Sequence, residues 1–551
     1  MRVLGVNAVF HDPAAAIVVD GRTVAAAEEE RFSRRKHGKA AVPFSTWELP
    51  EQAMRWCLER AGLRPADLDA VTYSYDPALA DPDGPGQDRG WERLRLFYVE
   101  RAPHFLATAL PGLDPAKVTY VPHHVAHAAS AGLAAPPEAG GGECAVFVAD
   151  GRGESTSHMA GVYTGGKLDV LVRQPLPESL GLVYEELTEH VGFHRSSDEY
   201  KVMALASYGE PTMLDAVRKC VRYEGDGLVR ASGLDWNSLT DPCEPGREPS
   251  KEHANLAASV QAAMEETLLA VVGWLHERTG RPHLTMAGGV ALNCVANSRI
   301  VREGPFESVW VQPASGDAGT ALGGALHAAS LVEDVAPMPG AALGRSWDED
   351  ELHAILREAD VAFERPDDLA DTVAEALERD ALVAWFQGAA EYGPRALGHR
   401  SLLANPSNPD NLERLNRVKG REQFRPVAPM VAEHRASEIF SGGPLPSPYM
   451  LFVHEVHPDW RDRLPAVVHV DGTARVQTVA ERDDPLTARL LDRFERRSGL
   501  PVLVNTSLNT AGRPMVDSPR DALECFGSAP VDLLAIGPFV VRRRAGEGAH
   551  R

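Results

Sequence analysis

Two histidines one helical turn apart, His123 and His127, stand in the stretch Val121-Pro-His-His-Val-Ala-His-Ala-Ala-Ser130. On a helix their imidazoles project from one face. That spacing suits two ligands of a single cation, with acids from elsewhere completing the shell, and it equally suits two donors at a helix end. His124 points away from that face. The acids are offered by two loops expected directly after apolar strands, Asp150-Gly-Arg-Gly153 and Ser315-Gly-Asp317-Ala-Gly-Thr320. Imidazole nitrogen with carboxylate oxygen is a donor set for a divalent transition metal. Glycine beside the acid permits close approach of a phosphate or metal, although each loop also reads as a turn before a helix.

Between these loops lies Ala287-Gly288-Gly289-Val290-Ala291-Leu-Asn293. It is expected to follow a strand and to offer free backbone N–H groups to an adenosine or a phosphate. His11-Asp12 comes right after the first apolar run; a histidine there can take a proton from a hydroxyl, or it can be a structural residue held by Asp12. The charge-dense stretch Glu28-Glu-Glu-Arg-Phe-Ser-Arg-Arg-Lys36-His-Gly38 is expected to be solvated surface with one cation serving the site.

The C-terminal part carries a different cluster. Glu391-Tyr-Gly-Pro-Arg395-Ala-Leu-Gly-His-Arg400-Ser401 is followed by Arg417-Val-Lys419-Gly-Arg421-Glu-Gln-Phe-Arg425. Guanidinium forks match phosphate oxygens, and a surface salt-bridge network is the alternative. Arg475, Asn505-Thr-Ser507-Leu-Asn509 and Asp517 come later. An amide and a hydroxyl placed after a strand at 501–504 could orient a small carbonyl compound.

These groups need a scaffold. Residues 2–10 read as a buried strand, followed by strands at 14–20 and 23–30 that turn at Asp20-Gly21. The pattern returns at 145–149, with a hairpin at 161–173 turning at Gly165-Gly166. Two copies of strand, acidic loop and hairpin suggest the duplicated halves of an actin-like nucleotide-binding fold. Helical periodicity covers 50–61, 91–110 and 253–278, and strands are expected at 68–75, 117–121, 283–287 and 308–311, an α/β alternation. The proline- and glycine-rich stretch 335–344 reads as a linker, so that a second domain begins near Arg345. That domain holds a helix at 371–378 and a strand at 381–386, and the tail is expected to fray after Val541.

A chain of 551 residues exceeds one ordinary core, so two or three domains are expected. Its net charge of −22 opposes general affinity for nucleic-acid phosphates and is compatible with a cationic acceptor. No apolar run reaches the roughly 20 residues of a membrane span, and the start is too polar for a signal peptide. A cytoplasmic protein with reduced thiols is expected, because the six cysteines are scattered singly.

In order along nearly the whole chain, His11-Asp12, Glu-Glu-Arg-Phe, His-His-x-x-His-Ala-Ala-Ser, Glu199-Tyr-Lys-Val-Met-Ala-Leu-Ala-Ser-Tyr-Gly209, Gly-Gly-Val-Ala-Leu-Asn, Gly-Pro-Arg-Ala-Leu-Gly and Asn-Thr-Ser-x-Asn resemble the O-carbamoyltransferases of nodulation factors, cephalosporins and aminoglycosides. The resemblance implies an α/β protein with an actin-like (ASKHA-type) duplicated domain over 1–344 and a YrdC-like α/β domain over 345–551. It implies that the C-terminal domain converts carbamoyl phosphate and ATP, with Mg(2+), into carbamoyl adenylate, using Arg395, Lys419, Arg425, Arg475, Asn505 and Ser507. The N-terminal domain would then pass the carbamoyl group to a hydroxyl of a small antibiotic-type metabolite. There His123, His127, Asp150 and Asp317 match ligands of Fe(2+), and Gly288, Gly289 and Asn293 match the nucleotide site. His11 matches the residue that activates the hydroxyl and Lys36 a cation near the transferring group. The implied partner is a hydroxylated small molecule, with no nucleic acid and no membrane, and a homodimer is compatible. The alternative is a tRNA threonylcarbamoyladenosine-type enzyme, which should show a basic face. A sugar kinase would leave the arginine cluster unexplained, and a non-catalytic ATP-binding scaffold would leave His11 and the metal set unexplained.

Overall fold

The computed structural model describes residues 1–38, 48–85 and 89–543. The chain divides into two compact units, Met1–Gly340 and Ala341–Arg551.

The first unit contains one sheet pattern twice. Strands β1 (Arg2–Asn7), β2 (Ala14–Val19), β3 (Arg22–Glu28), β4 (Ala70–Tyr73) and β5 (Val118–Tyr120) form a sheet of order β3-β2-β1-β4-β5. β1 and β2, and β2 and β3, run antiparallel, while β1, β4 and β5 run parallel. The β2–β3 turn is Asp20-Gly21, with φ of 49° and 69°, the left-handed pair that a two-residue hairpin demands. The second copy uses β6 (Ala145–Ala149), β7 (Thr156–Thr164) and β8 (Lys167–Pro175). After a separate hairpin, β9 (Val221–Gly225) with β10 (Leu228–Ala231), it is completed by β11 (His283–Ala287) and β12 (Ser308–Val311). Its order, β12-β11-β6-β7-β8, and its strand directions repeat those of the first sheet, so the unit is a duplicated, actin-like domain.

Small residues set the spacing of the helices behind these sheets. A Cβ on Gly5 would fall 1.8 Å from the carbonyl oxygen of Ala321, and one on Gly323 would fall 1.7 Å from that of Ala126. Glycine is therefore required at both positions. β1 and the helix His123–Gly132 each lie directly against the helix Ala318–Ser330, which brings Asp317, at the start of that helix, to the two histidines.

Several expected boundaries move. The helix expected over 91–110 is two, Arg89–Val99 and Ala102–Ala109, divided where Pro103, in the first turn of the second, cannot donate to a preceding turn. The proline-rich stretch 335–344 is not a free linker: Ala336 N donates to Gly21 O (2.8 Å) and Met338 N to Ala134 O (3.0 Å), and the division falls after Gly340. Among the described residues one helix, Lys251–Thr279, is long and apolar enough to cross a membrane by length and composition, but 67% of that apolar window is buried within the protein. Val260, Met264, Leu268 and Val271 are among its buried residues.

The second unit is built on a mixed eight-stranded sheet. Its order is Phe363–Glu364, Phe539–Arg542, Leu533–Ile536, Val383–Phe386, Arg400–Ala404, Val502–Ser507, Ala428–Ala432 and Gln477–Val479. Trp385, Phe494 and Leu503 are fully buried in its core. The strand expected to end at 504 continues to Ser507, so Asn505 and Ser507 lie on the strand and not after it. Where fraying is expected, after Val541, Arg542 still lies on a strand and Arg543 N donates to Asp532 O (3.1 Å). Residues 544–551 of the tail lie outside the described residues, as do residues 39–47 and 86–88.

Candidate functional site

His123 and His127 occupy the first and second turns of a fully buried helix, with ring centroids 4.8 Å apart. His123 Nε2 lies 3.2 Å from Asp150 Oδ2 and 3.6 Å from Asp317 Oδ1; His127 Nε2 lies 3.6 and 3.7 Å from the same two atoms. Asp150 closes the apolar strand β6. Asp317 lies six residues past β12 and caps the next helix by position, so it is not the strand-end acid that was expected.

Four ligand atoms, two nitrogens and two carboxylate oxygens, all lie within 4.8 Å of one another. Both nitrogens of His127 are buried without a hydrogen bond. Buried polar groups are normally bonded, and an unsatisfied imidazole converging with acids fits a cation. Burial opposes charge on His123, yet its hydrogen bonds to Asp150 and Asp317 hold it far above the usual imidazole range. The histidines hold Asp150 far below its usual range. His123 Nδ1 faces the carbonyl of Ser74 at 3.2 Å, which makes Nδ1 the protonated nitrogen and turns Nε2 to the acids.

Gly288 and Gly289 correct an expectation. Their N–H groups are not free for a nucleotide: Gly288 N donates to Ser315 O (2.8 Å), and Gly289 N donates to Asp150 Oδ1 (3.1 Å). A Cβ at Gly288, where φ is 92°, would sit 2.2 Å from the Ala149 carbonyl oxygen. Gly289 thus holds the Asp150 carboxylate, and Gly288 lets its loop pass close to the end of β6. Asn293 caps the helix Cys294–Glu303 through Ala296 N (3.1 Å) and pairs with Gln261.

His11 joins the acids from the β1–β2 loop. Its N–H points to Asp317 Oδ2 (3.4 Å), and the side-chain amide of Asn7 donates to the carbonyls of both His11 and Asp12 (3.0 Å each). The ring contacts Asp12 and remains 38% exposed. Burial works against its charge, but Asp317 and Asp12 outweigh that effect and raise its pKa to about 10. Lys36 Nζ donates to Ser197 Oγ (3.3 Å), which is also 2.8 Å from His37 Nε2, and His37 Nδ1 is 2.9 Å from Asp12 Oδ1. Lys36 and His11 therefore border one connected polar array. His37 and Ser197 were missed from sequence because nothing in their spacing links them to residue 11.

In the second unit Lys419 is buried, and its ammonium donates to Ser507 O (2.5 Å), Ser507 Oγ (2.8 Å) and Asn509 Oδ1. Burial, then the charges of Arg421 and Arg425, push its pKa well below the usual lysine range. Two residues back along the strand, Asn505 Nδ2 donates to Gln477 Oε1 (2.7 Å) and to the carbonyl of Ala396 (3.1 Å), beside Arg395. Gln477 Nε2 in turn donates to Leu397 O (2.8 Å), which ties in the strand that follows Arg475. Glu391, absent from the expected set, accepts the N–H groups of Leu397, His399 and Arg400 (2.7, 3.0 and 3.1 Å) and shapes the Arg395 loop. Arg395, Arg425 and Arg475 are each half-buried, and Arg425 pairs with Glu422 at 3.4 Å.

The first unit is thus a duplicated actin-like domain with a buried His2Asp2 centre, and the second an α/β unit with a lysine cradle. The Carbamoyltransferase N-terminus family pattern matches residues 2–84 and 109–326, and the Carbamoyltransferase C-terminus pattern matches residues 374–543. The chain belongs to the carbamoyltransferase family and is a carbamoyltransferase. It is 35% identical to nodulation protein NolNO of Sinorhizobium fredii over 98% of this chain and 80% of that protein. It is 32% identical to nodulation protein U of Rhizobium tropici over 93% and 92%, and 34% identical to an uncharacterized Synechocystis protein, sll1178, over 98% and 97%. Among solved structures, HypF of T. kodakarensis is similar at 15% identity with a TM-score of 0.39, covering 60% of this chain and 48% of its own.

Proposed function

We propose that this carbamoyltransferase uses ATP to move a carbamoyl group from carbamoyl phosphate to a hydroxyl of a small natural product. The observation that carries the reading is the loop of His11, whose backbone N–H reaches Asp317 while its ring rests on Asp12, so that a proton-handling group stands on a loop that touches the His2Asp2 centre. In the second unit carbamoyl phosphate and water give carbamate and phosphate; the carbamate oxygen attacks the α-phosphorus of ATP and pyrophosphate leaves. Lys419, Arg395, Arg425 and Arg475 offset the phosphate charge, while Asn505 and Ser507 orient the carbamate and Mg(2+) accompanies ATP. Carbamate alone is a poor acyl donor, and adenylation supplies a leaving group.

In the first unit the acceptor oxygen bonds to the carbamoyl carbon, the bond to AMP breaks, and the hydroxyl proton passes to His11. Lys36 lies across the same polar array and favours negative charge there. Held by His123, His127, Asp150 and Asp317, a divalent ion such as Fe(2+) would neutralise the acids that keep His11 protonated and would attract the departing phosphate. Incubation with carbamoyl phosphate, ATP and a panel of hydroxylated acceptors, read by mass spectrometry, tests the assignment. A carbamoylated small molecule with AMP and pyrophosphate supports it; carbamoyl transfer seen only on threonine with tRNA would replace it with the RNA-modifying reading.

A further inference from the structure

Glu154 is 4% exposed, and one of its oxygens holds two separate pieces of chain. Its Oε1 accepts the N–H of His123 at 2.7 Å and the N–H of Asp76 at 2.9 Å. His123 is the first residue of its helix, and Pro122, the residue at the cap, supplies no side-chain bond to that end. A carboxylate there satisfies a backbone donor and offsets the positive end of the helix dipole. The same His123 then presents Nε2 to Asp150 and Asp317, with its other nitrogen held by Ser74 O. Asp76 starts the segment that follows β4, and its own Oδ1 accepts Ala78 N (3.0 Å) to fix the next turn.

We propose that Glu154 is a positioning residue that sets His123 for the metal and ties the segment beginning at Asp76 to the occupancy of that site. The inference rests on the metal reading of His123, His127, Asp150 and Asp317. Because a single oxygen bridges both N–H groups, a change that moves His123 also moves Asp76. The accepting atom matters here more than the charge, so an amide oxygen in its place should serve.

Cobalt(II) titration of the full chain, followed by its visible absorption, is the test. Removing a group that orients a metal ligand typically weakens metal binding about 10 to 100-fold. Glu154→Ala should show that loss and an altered absorption band, whereas Glu154→Gln should bind and absorb like wild type. Hydrogen exchange in residues 76–84 should slow on adding cobalt to wild type and Glu154→Gln, and should not respond in Glu154→Ala. If Glu154→Ala fails to fold, Glu154→Asp, which withdraws the carboxylate by one methylene, should show the same weakening and decides the matter. Wild-type affinity, absorption and exchange in the variant that folds would overturn the proposal. A wild-type protein that takes up no cobalt would overturn the metal reading itself, and this inference with it.

Discussion

His11 Nδ1 and Asp12 Oδ2 lie 2.8 Å apart although the two residues are neighbours in the chain. Asp12 sits at φ 49°, a left-handed conformation that aspartate tolerates better than most residues, and its other oxygen is 2.9 Å from His37 Nδ1. Both carboxylate oxygens are thus engaged by imidazoles. The ring of His11 is held from one side by Asp12 while its backbone faces Asp317.

This contact has a pH signature in metal-free protein. The folded pKa of His11, about 10, stands above the ordinary value of 6.5, so the folded state holds this proton more tightly than the unfolded chain. The resulting stability is fully present below pH 6.5 and is lost as pH rises through about 10. The difference in denaturant midpoint between wild type and His11→Asn, measured in EDTA, should therefore be largest in mildly acidic buffer and shrink toward pH 10. A difference that grows with pH over this range would contradict the charge pairing.

His127→Ala should remove bound metal. The wild-type ring is fully buried with neither nitrogen hydrogen-bonded, so its removal deletes one ligand and leaves the protein's own hydrogen bonds nearly intact. Elemental analysis of the purified variant should show little metal and a fold retained by circular dichroism. Full occupancy would take His127 out of the ligand set.

Much of this centre was legible because its geometry is local or periodic. The turn between His123 and His127 is a helical spacing, and the repeated strand-hairpin pattern exposes the duplication that brings Asp150 and Asp317 into one cleft. What stayed hidden depends on contacts between distant segments. Gly288 and Gly289 look like a phosphate-binding loop in isolation, yet their N–H groups are spent on Ser315 and Asp150 once β6 and β11 pair. Glu154 reads as one more acid after a glycine; only the folded chain shows that it reaches His123 and Asp76. Asn505 reads as a residue just past a strand, but it lies on that strand, where Gln477 satisfies its amide.

Arg425 offers a way to separate the two half-reactions. It lies on the unit that carries the Lys419 cradle, and its charge is among those that press on Lys419. Arg425→Ala should stop carbamoyl-phosphate-dependent release of pyrophosphate. The same variant should still carbamoylate an acceptor when carbamoyl adenylate is supplied directly. Equal loss of both activities would show that the two units do not divide the chemistry.

An alcohol has a pKa far above neutral, so attack on the carbamoyl carbon needs the hydroxyl proton removed as the new bond forms. Among the described residues His11 joins the needed properties: its ring is partly exposed, oriented by Asp12, and on a backbone that points at Asp317. Asparagine at this position keeps a comparable polar shape but cannot accept the proton, and the partial exposure of the native ring makes a folding defect a poor explanation for any loss. Removing a general base typically slows a reaction about 100 to 10,000-fold. His11→Asn should accordingly fold, retain metal and form AMP-linked carbamoyl intermediate at the wild-type rate, while transfer to the hydroxyl slows at least roughly 100-fold. Single-turnover measurement starting from carbamoyl adenylate isolates that step. Transfer at a near-normal rate by the folded, metal-loaded variant would mean that the leaving ability of AMP and the centre at Asp150 and Asp317 suffice, and that His11 serves only to hold the loop.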